Sequence, residues 1–272
     1  MKLIEPTVRV IQQEPGELGM YKAAAEAAYI SYQTNPETAR LSPRDFIHKV
    51  IIPNRHNRVL EFATVYLEIP YWETAQENFR EYGLVSFFQQ NPWSKCMFIT
   101  EPANPRWAVT TNFRVIVENA LEEAVIQYSC EPTKYHAKRY TAEFICSRGA
   151  GDDFRTHVVL SSIMESSRYC NYSKDKFDNE LTFIKPYWLD NNEEYEFALK
   201  AFQDEEYLYM RGALMGMQAQ QLKRIFPLGC KTQLRMCGFA EAWNNFFDKR
   251  CDPHADPECQ LLATKLQSII YE

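Results

Sequence analysis

The chain has 272 residues, 46% of them hydrophobic and 24% charged, a globular composition that excludes a disordered polymer. Its formal net charge of −6 does not suit non-specific nucleic-acid binding, which calls for a Lys/Arg excess on one face. No apolar run approaches the ~20 residues that span a bilayer.

The segment MYKAAAEAAYISY (20–32) is Ala-rich and predicts a helix. Ser42, Pro43 and Asp45 follow as an N-cap, a first helical position and a first-turn acid for a short helix. VLEFATVYLEI (59–69) is rich in β-branched and aromatic residues and predicts a strand ending at Pro70. The stretch 71–107 reads as irregular, with breakers at Gly83, Pro92, Pro102 and Pro105. NFRVIVENALEEAVIQY (112–128) predicts an amphipathic helix and RYTAEFIC (139–146) a strand.

A long helical pattern runs from about Glu193 to Phe226, with breaks expected near Asp204 or Gly212, and Pro227 closes it. KTQLRMC (231–237) predicts a short strand, and AEAWNNFFDKR (240–250) a helix. Asp252-Pro253 carries the start signal of a last helix reaching about Ile270. Without repeats or a linker, the expectation is one α+β domain over 1–272 with an insertion at 71–138.

The eight cysteines are widely spaced without a CxxC pair, and no signal peptide precedes them, which points to reduced thiols in a cytoplasm, a host's if the gene is viral. Cys251 lies close to His254, but Cys is common in cores and this pair is a weak nucleophile signal. The five histidines offer no HxxxH or HExxH spacing, so no metal is expected.

ESSRYCNYS (165–173) gathers Glu165, Ser166, Ser167, Arg168 and Tyr169 in five consecutive positions. From these residues alone two readings stand: a surface loop, because Ser and Asn favour turns, or a cradle for a phosphate monoester built from hydroxyls, amides and an Arg fork.

The stretch FPLGCKTQLRMCGFAEAWNNFFDKRCDPHADPEC (226–259) resembles the C-terminal region of the flavin-dependent thymidylate synthases, the ThyX family. The resemblance rests on Phe226-Pro227, Thr232-Gln233, Arg250 and the Asp252-to-Glu258 segment. FRTHVVLSSIMESSRY (154–169) resembles the family's Arg-His-Arg signature and the Ser-x-Arg-Tyr that follows it. HNRVLEF (56–62) and AAYISY (27–32) resemble two N-terminal family segments, in the right order.

The resemblance implies a mixed sheet with flanking helices, and reductive methylation of dUMP to dTMP. Methylenetetrahydrofolate would give the carbon, reduced FAD the hydride, and NADPH would recharge the flavin. It implies a homotetramer with sites shared between subunits, and no enzyme nucleophile.

Residue by residue, it assigns Asp153, Arg155, Glu165, Ser166, Ser167, Arg168, Arg250 and either Lys223 or Arg224 to dUMP. Arg250 would also be catalytic, favouring the anionic pyrimidine whose C5 is nucleophilic. Ser31, His56, Arg58, Glu61, His157 and Asn245 fall at flavin positions.

Two departures stand out. The Arg-His-Arg triplet reads Thr156-His157-Val158, and Glu241 occupies a position where the family carries an Arg. Besides the synthase, these leave open a related C5-modifying enzyme with altered flavin use and a non-catalytic nucleotide-binding relative. A helical module meeting a protein partner is the reading without family help.

Overall fold

A computed structural model describes residues 1–71, 79–189 and 192–272. At its centre lies an antiparallel four-stranded sheet. Its strands are β2 (Thr7–Ile11), β6 (Arg139–Ser147), β7 (Ser161–Met164) and β9 (Lys231–Phe239), in the order β2-β6-β9-β7. β6 and β9 pair along their whole length, from Arg139 opposite Phe239 to Ser147 opposite Lys231.

Strand side chains alternate between faces. Ala142, Phe144 and Cys146, with Leu234 and Met236, enter one core against the helices α9 (Ala240–Arg250) and α10 (Pro257–Tyr271). Trp243, Phe246, Phe247, Leu262 and Leu266 complete that core from the helices. Each such side chain contributes about 1.5–3 kcal/mol on burial.

The opposite face receives α1 (Gly16–Tyr32), whose buried Ala24, Ala25, Ala27 and Ala28 let it lie close to its neighbours. That face is partly polar: Lys231, Gln233 and Arg235 of β9 alternate along it, beside Glu143 of β6.

A second sheet has the order β3-β5-β4, from β3 (Thr64–Pro70), β4 (Lys95–Ile99) and β5 (Arg106–Asn112). It shares a core with α1 and with α3 (Phe79–Gln90) through Ile47, Leu60, Phe62, Leu67, Phe88 and Val109. β1 (Lys2–Ile4) and β8 (Thr182–Ile184) form a parallel pair. Their core lies under the long helix α7 (Asn192–Leu214) and its successor α8 (Ala219–Leu222).

Several sequence expectations are met. Ser42 caps α2 (Pro43–Phe46) by accepting from the Asp45 amide at 3.1 Å. The mixed α+β class and the helix at 240–250 stand as expected.

Others need correction. Residues 57–62 form a 3-10 turn, and the strand starts only at Thr64, because Val59, Leu60 and Phe62 bury from a helical conformation. The stretch 71–107 holds α3 and β4, with Gly83 inside the helix and Pro102 and Pro105 confined to the β4–β5 turn. The helix expected at 112–128 divides into α4 (Phe113–Glu118) and α5 (Glu122–Val125), since Ala120 adopts φ 52.

α7 runs unbroken through Asp204 and Gly212 and stops before Gly216, at φ 86. Gly212 serves contact, since a Cβ there would stand 2.7 Å from Leu222 Cδ2. The last helix is capped by Asp256, whose Oδ1 accepts from the Glu258 and Cys259 amides, and not by Asp252.

Candidate functional site

The ESSRY segment leaves the end of β7 as a tight turn. Ser166 donates its amide to the Ser31 carbonyl at 3.2 Å, and its own carbonyl accepts from Tyr169 and Cys170. Tyr169 stacks on Tyr32 with centroids 4.6 Å apart, and the Arg168 guanidinium lies over Tyr169. Among the described residues, the hydroxyls of Ser166 and Ser167 and the guanidinium of Arg168 make no hydrogen bond or ion pair. Three donors therefore remain for a ligand on a backbone that the helix end already holds.

Glu165 behaves differently. Its side chain has 0% exposure and faces inward, with Oε1 accepting from Tyr172 and Oε2 from Lys231. Both oxygens are engaged and enclosed, so the side chain meets Tyr172 and Lys231 within the fold.

Beside this turn opens a cleft of about 930 Å³ lined by Ser31, Tyr32, Arg40, His56, Arg58 and Tyr169. Arg58 is anchored by donating to the Ser162 carbonyl at 3.1 Å. Glu61 sits one layer back, paired with Arg114 of the cleft wall. Arg55, also on the wall, holds φ 56, a left-handed conformation that a non-Gly residue adopts at a cost. Aromatic faces, apolar walls and several guanidiniums fit a flat heterocycle carrying phosphate.

A third group assembles where the segment preceding β7 meets the C-terminus of α9. Arg250 at the C-terminus of α9 donates Nε to His157 Nε2 at 3.0 Å. Its Nη2 donates to the Asp153 carbonyl at 2.6 Å and to Thr156 Oγ1 at 3.0 Å. The His157 ring packs edge-on against Phe246.

Burial, reinforced by the Arg250 and Lys249 charges, lowers the His157 pKa to about 4 from 6.5. At neutral pH the imidazole is uncharged, with the Nε2 lone pair facing Arg250 and the proton on Nδ1. Between pH 6.5 and 4 the unfolded chain binds the proton that the folded one refuses, so stability falls as pH falls through that window. His157→Asn, which keeps an acceptor but cannot titrate, is expected to flatten the acid slope of melting temperature against pH. An unchanged slope would remove His157 as its source.

The remaining sequence-expected residues are dispersed. Arg155 turns to Asp152 at 3.3 Å, and Val158 is 82% exposed. Lys223 and Arg224 lie exposed in the turn before Pro227, with no hydrogen bond or ion pair among the described residues. Asn245 is exposed on α9, and Glu241 stands 3.5 Å from Lys95.

Lys95, Tyr172 and Lys231 escaped sequence reasoning. For Lys231 the polar alternation with Gln233 and Arg235 was the available signal.

The thiols are quiescent. Cys130 meets His136 Nε2 at 3.8 Å, but burial pushes the Cys130 pKa to about 11. The His136 Nδ1 accepts from the Thr133 amide, which leaves the proton on Nε2 facing the Leu67 carbonyl. His254 turns its Nδ1 to Asp252, and burial raises the Cys251 thiol. Among the described residues no three His, Cys, Asp or Glu side chains converge as a metal site.

A family model described as thymidylate synthase complementing protein matches residues 106–272, more than half of the chain. The chain is a divergent member of the flavin-dependent thymidylate synthase family. The matched stretch carries the ESSRY turn and the Arg250 group, and it begins inside the segment 71–138.

Among solved structures, a ThyX from Helicobacter pylori with FAD and dUMP is similar at 15% identity and TM-score 0.41, covering 97% of this chain and 92% of that one. A UMP/dUMP methylase, PolB, from Streptomyces cacaoi with 5-Br dUMP gives 13% identity and TM-score 0.45, covering 99% and 92%. Likeness at this level assigns no residue a role. No curated protein sequence matches the chain.

Proposed function

We propose that this protein is a thymidylate synthase that methylates dUMP at C5, taking its carbon from methylenetetrahydrofolate, with FAD as cofactor and NADPH as reductant. The observation that carries the reading is the Ser166-Ser167-Arg168 turn, pinned by the Ser31 carbonyl, its side-chain donors without partners among the described residues, beside an aromatic, Arg-lined cleft.

Ser166, Ser167 and Arg168 take the phosphate monoester through hydroxyl and charge-assisted contacts, with Lys223 or Arg224 as a further cation. Arg250 contacts the pyrimidine edge and stabilises the charge that makes C5 nucleophilic. Asp153 and His157 orient Arg250 through the bonds described above. Ser31, His56 and Arg58 line the flavin cleft, with Glu61 behind them and Asn245 a contact from α9. When bound, the reduced flavin supplies the hydride; the quiescent thiols agree with a route that needs no enzyme nucleophile.

A single catalytic domain over 1–272, with 71–138 inserted, works as a homotetramer in this reading. One observation favours assembly: α7 exposes Phe197, Leu208 and Leu214. Nucleic acid is not a partner in this proposal, and among the described residues no helix is long and apolar enough to cross a membrane. The expected compartment is cytoplasmic, as the reduced thiols suggest.

A second reading, a C5-modifying enzyme with altered flavin use, draws on Glu241 and Val158. A carboxylate and an apolar group stand there where a flavin phosphate would favour cations.

The deciding measurement is the absorbance spectrum of the purified protein, titrated with FAD and then dUMP, followed by tritium release from C5. Stoichiometric FAD binding perturbed by dUMP, with isotope release, is the expected result. Binding of dUMP without flavin selects the second reading, and binding of neither ligand rejects both.

A further inference from the structure

β9 carries a polar row on a face that packing would favour as apolar. Lys231 of that row and the backbone amide of Gln233 converge on Glu165, the residue that opens the phosphate turn. Lys231 Nζ donates to Glu165 Oε2 at 2.6 Å, and the Gln233 amide donates to the same oxygen at 3.2 Å. The Glu165 amide donates back to the Gln233 carbonyl at 2.8 Å. Tyr172 donates its hydroxyl to Oε1 at 2.6 Å, and Arg148 donates to the Glu165 carbonyl at 3.3 Å. Every polar atom of Glu165 is thereby occupied.

The same cluster reaches the second cationic element. The Tyr172 ring stacks on Phe226 with centroids 5.1 Å apart, and the Arg148 guanidinium lies over the Phe226 ring at 5.6 Å. Phe226 directly follows the turn that presents Lys223 and Arg224. One buried carboxylate thus ties the Ser166–Arg168 turn to β9 and, through Tyr172, to the Lys223–Arg224 turn. Enclosing a Lys–Glu pair gains little stability over apolar residues of similar volume, because desolvation offsets the attraction. What such a pair supplies is a fixed geometry.

We propose that Lys231 and Tyr172 are positioning residues, which hold Glu165 as a clamp and set the spacing of the two anion-binding turns for a nucleoside monophosphate. The inference rests on the phosphate reading of those turns and adds the residues that align them. Burial raises the Tyr172 hydroxyl far above its usual range, so it remains a proton donor to Glu165 throughout the working pH range.

The test pairs dUMP affinity with hydrogen exchange in Lys231→Met and in the milder Tyr172→Phe, which removes only a hydroxyl. Lys231→Met is expected to raise the Kd and KM for dUMP by about 10- to 100-fold, the scale of removing a partner that orients a ligand-holding group, with kcat and FAD affinity within about twofold. Amides of residues 165–170 should lose protection in both variants, while those of α9 keep it. A general loss of structure would instead weaken FAD and dUMP together. The proposal is overturned if either folded variant keeps wild-type dUMP affinity and wild-type protection at 165–170. Should the wild-type protein bind no dUMP, the phosphate reading falls, and exchange at 165–170 still decides whether the clamp holds the turn.

Discussion

Glu143→Ala is expected to destabilise the protein by about 3–5 kcal/mol at pH 7, measured by urea unfolding, because it strands a buried cation. The Glu143 side chain is 3% exposed and that of Arg235 7%. Oε2 accepts from Arg235 Nη2 at 2.7 Å and Nε at 3.1 Å, while Oε1 accepts twice from Arg9. Without the carboxylate, Arg235 keeps, among the described residues, only the Glu26 carboxylate at 3.7 Å.

The double variant Glu143→Met/Arg235→Met is expected to recover most of the loss, since replacing a whole buried pair is far cheaper than breaking it. Burial alone would raise the Glu143 pKa, but the Arg235 and Arg9 charges outweigh it and hold the carboxyl below its usual 4.5. Its contribution is therefore complete above 4.5 and is lost as pH falls through the lower folded value, so the gap between wild type and Glu143→Ala should narrow in acid. A loss below about 1 kcal/mol at pH 7 would mean that the network is dispensable.

Where local chemistry decides structure, the sequence is legible. Ser42-Pro43 marks α2 because a hydroxyl cap and a fixed φ act within one turn. The Ala-rich segment marks α1, and small side chains are also what its tight packing uses. Asp252-Pro253 and Asp256-Pro257 carry the same start signal, so local chemistry cannot choose between them. The choice is made by the buried stripe Cys259, Leu262, Ala263 and Leu266, which begins after the second pair. VLEF at 59–62 reads as strand because composition reports burial, and a 3-10 turn buries those side chains as well.

At the site, the ESSRY segment is readable as a turn because its backbone bonds, from Tyr169 and Cys170 to the Ser166 carbonyl, close within a few residues. The inward direction of Glu165 is not, since Lys231 lies 66 residues away and joins it only once β9 pairs with β7. The direction of Arg155 is equally hidden: it neighbours His157 in sequence, but as the C-cap of α6 (Arg148–Phe154) it turns toward Asp152.

Arg250→Ala is expected to lower kcat by about 100-fold or more with dUMP saturating, the scale of losing a donor aimed at developing charge. The guanidinium is held along one edge, with Nε on His157 and Nη2 on Asp153 and Thr156. Nη1 has no partner among the described residues, so a donor is left to face the pyrimidine on a group whose plane is already fixed.

Lysine cannot reproduce this, having one nitrogen where the site uses a planar fork, so Arg250→Lys should recover only a small part of the rate. Because Arg250 is only half-buried, the melting temperature of both variants should stay close to wild type, which separates lost chemistry from lost fold. A dUMP KM that rises far more than kcat falls would make Arg250 a ground-state binding group, since only contacts stronger in the transition state accelerate the chemical step. Retention of kcat within about fivefold in Arg250→Ala would remove Arg250 from catalysis.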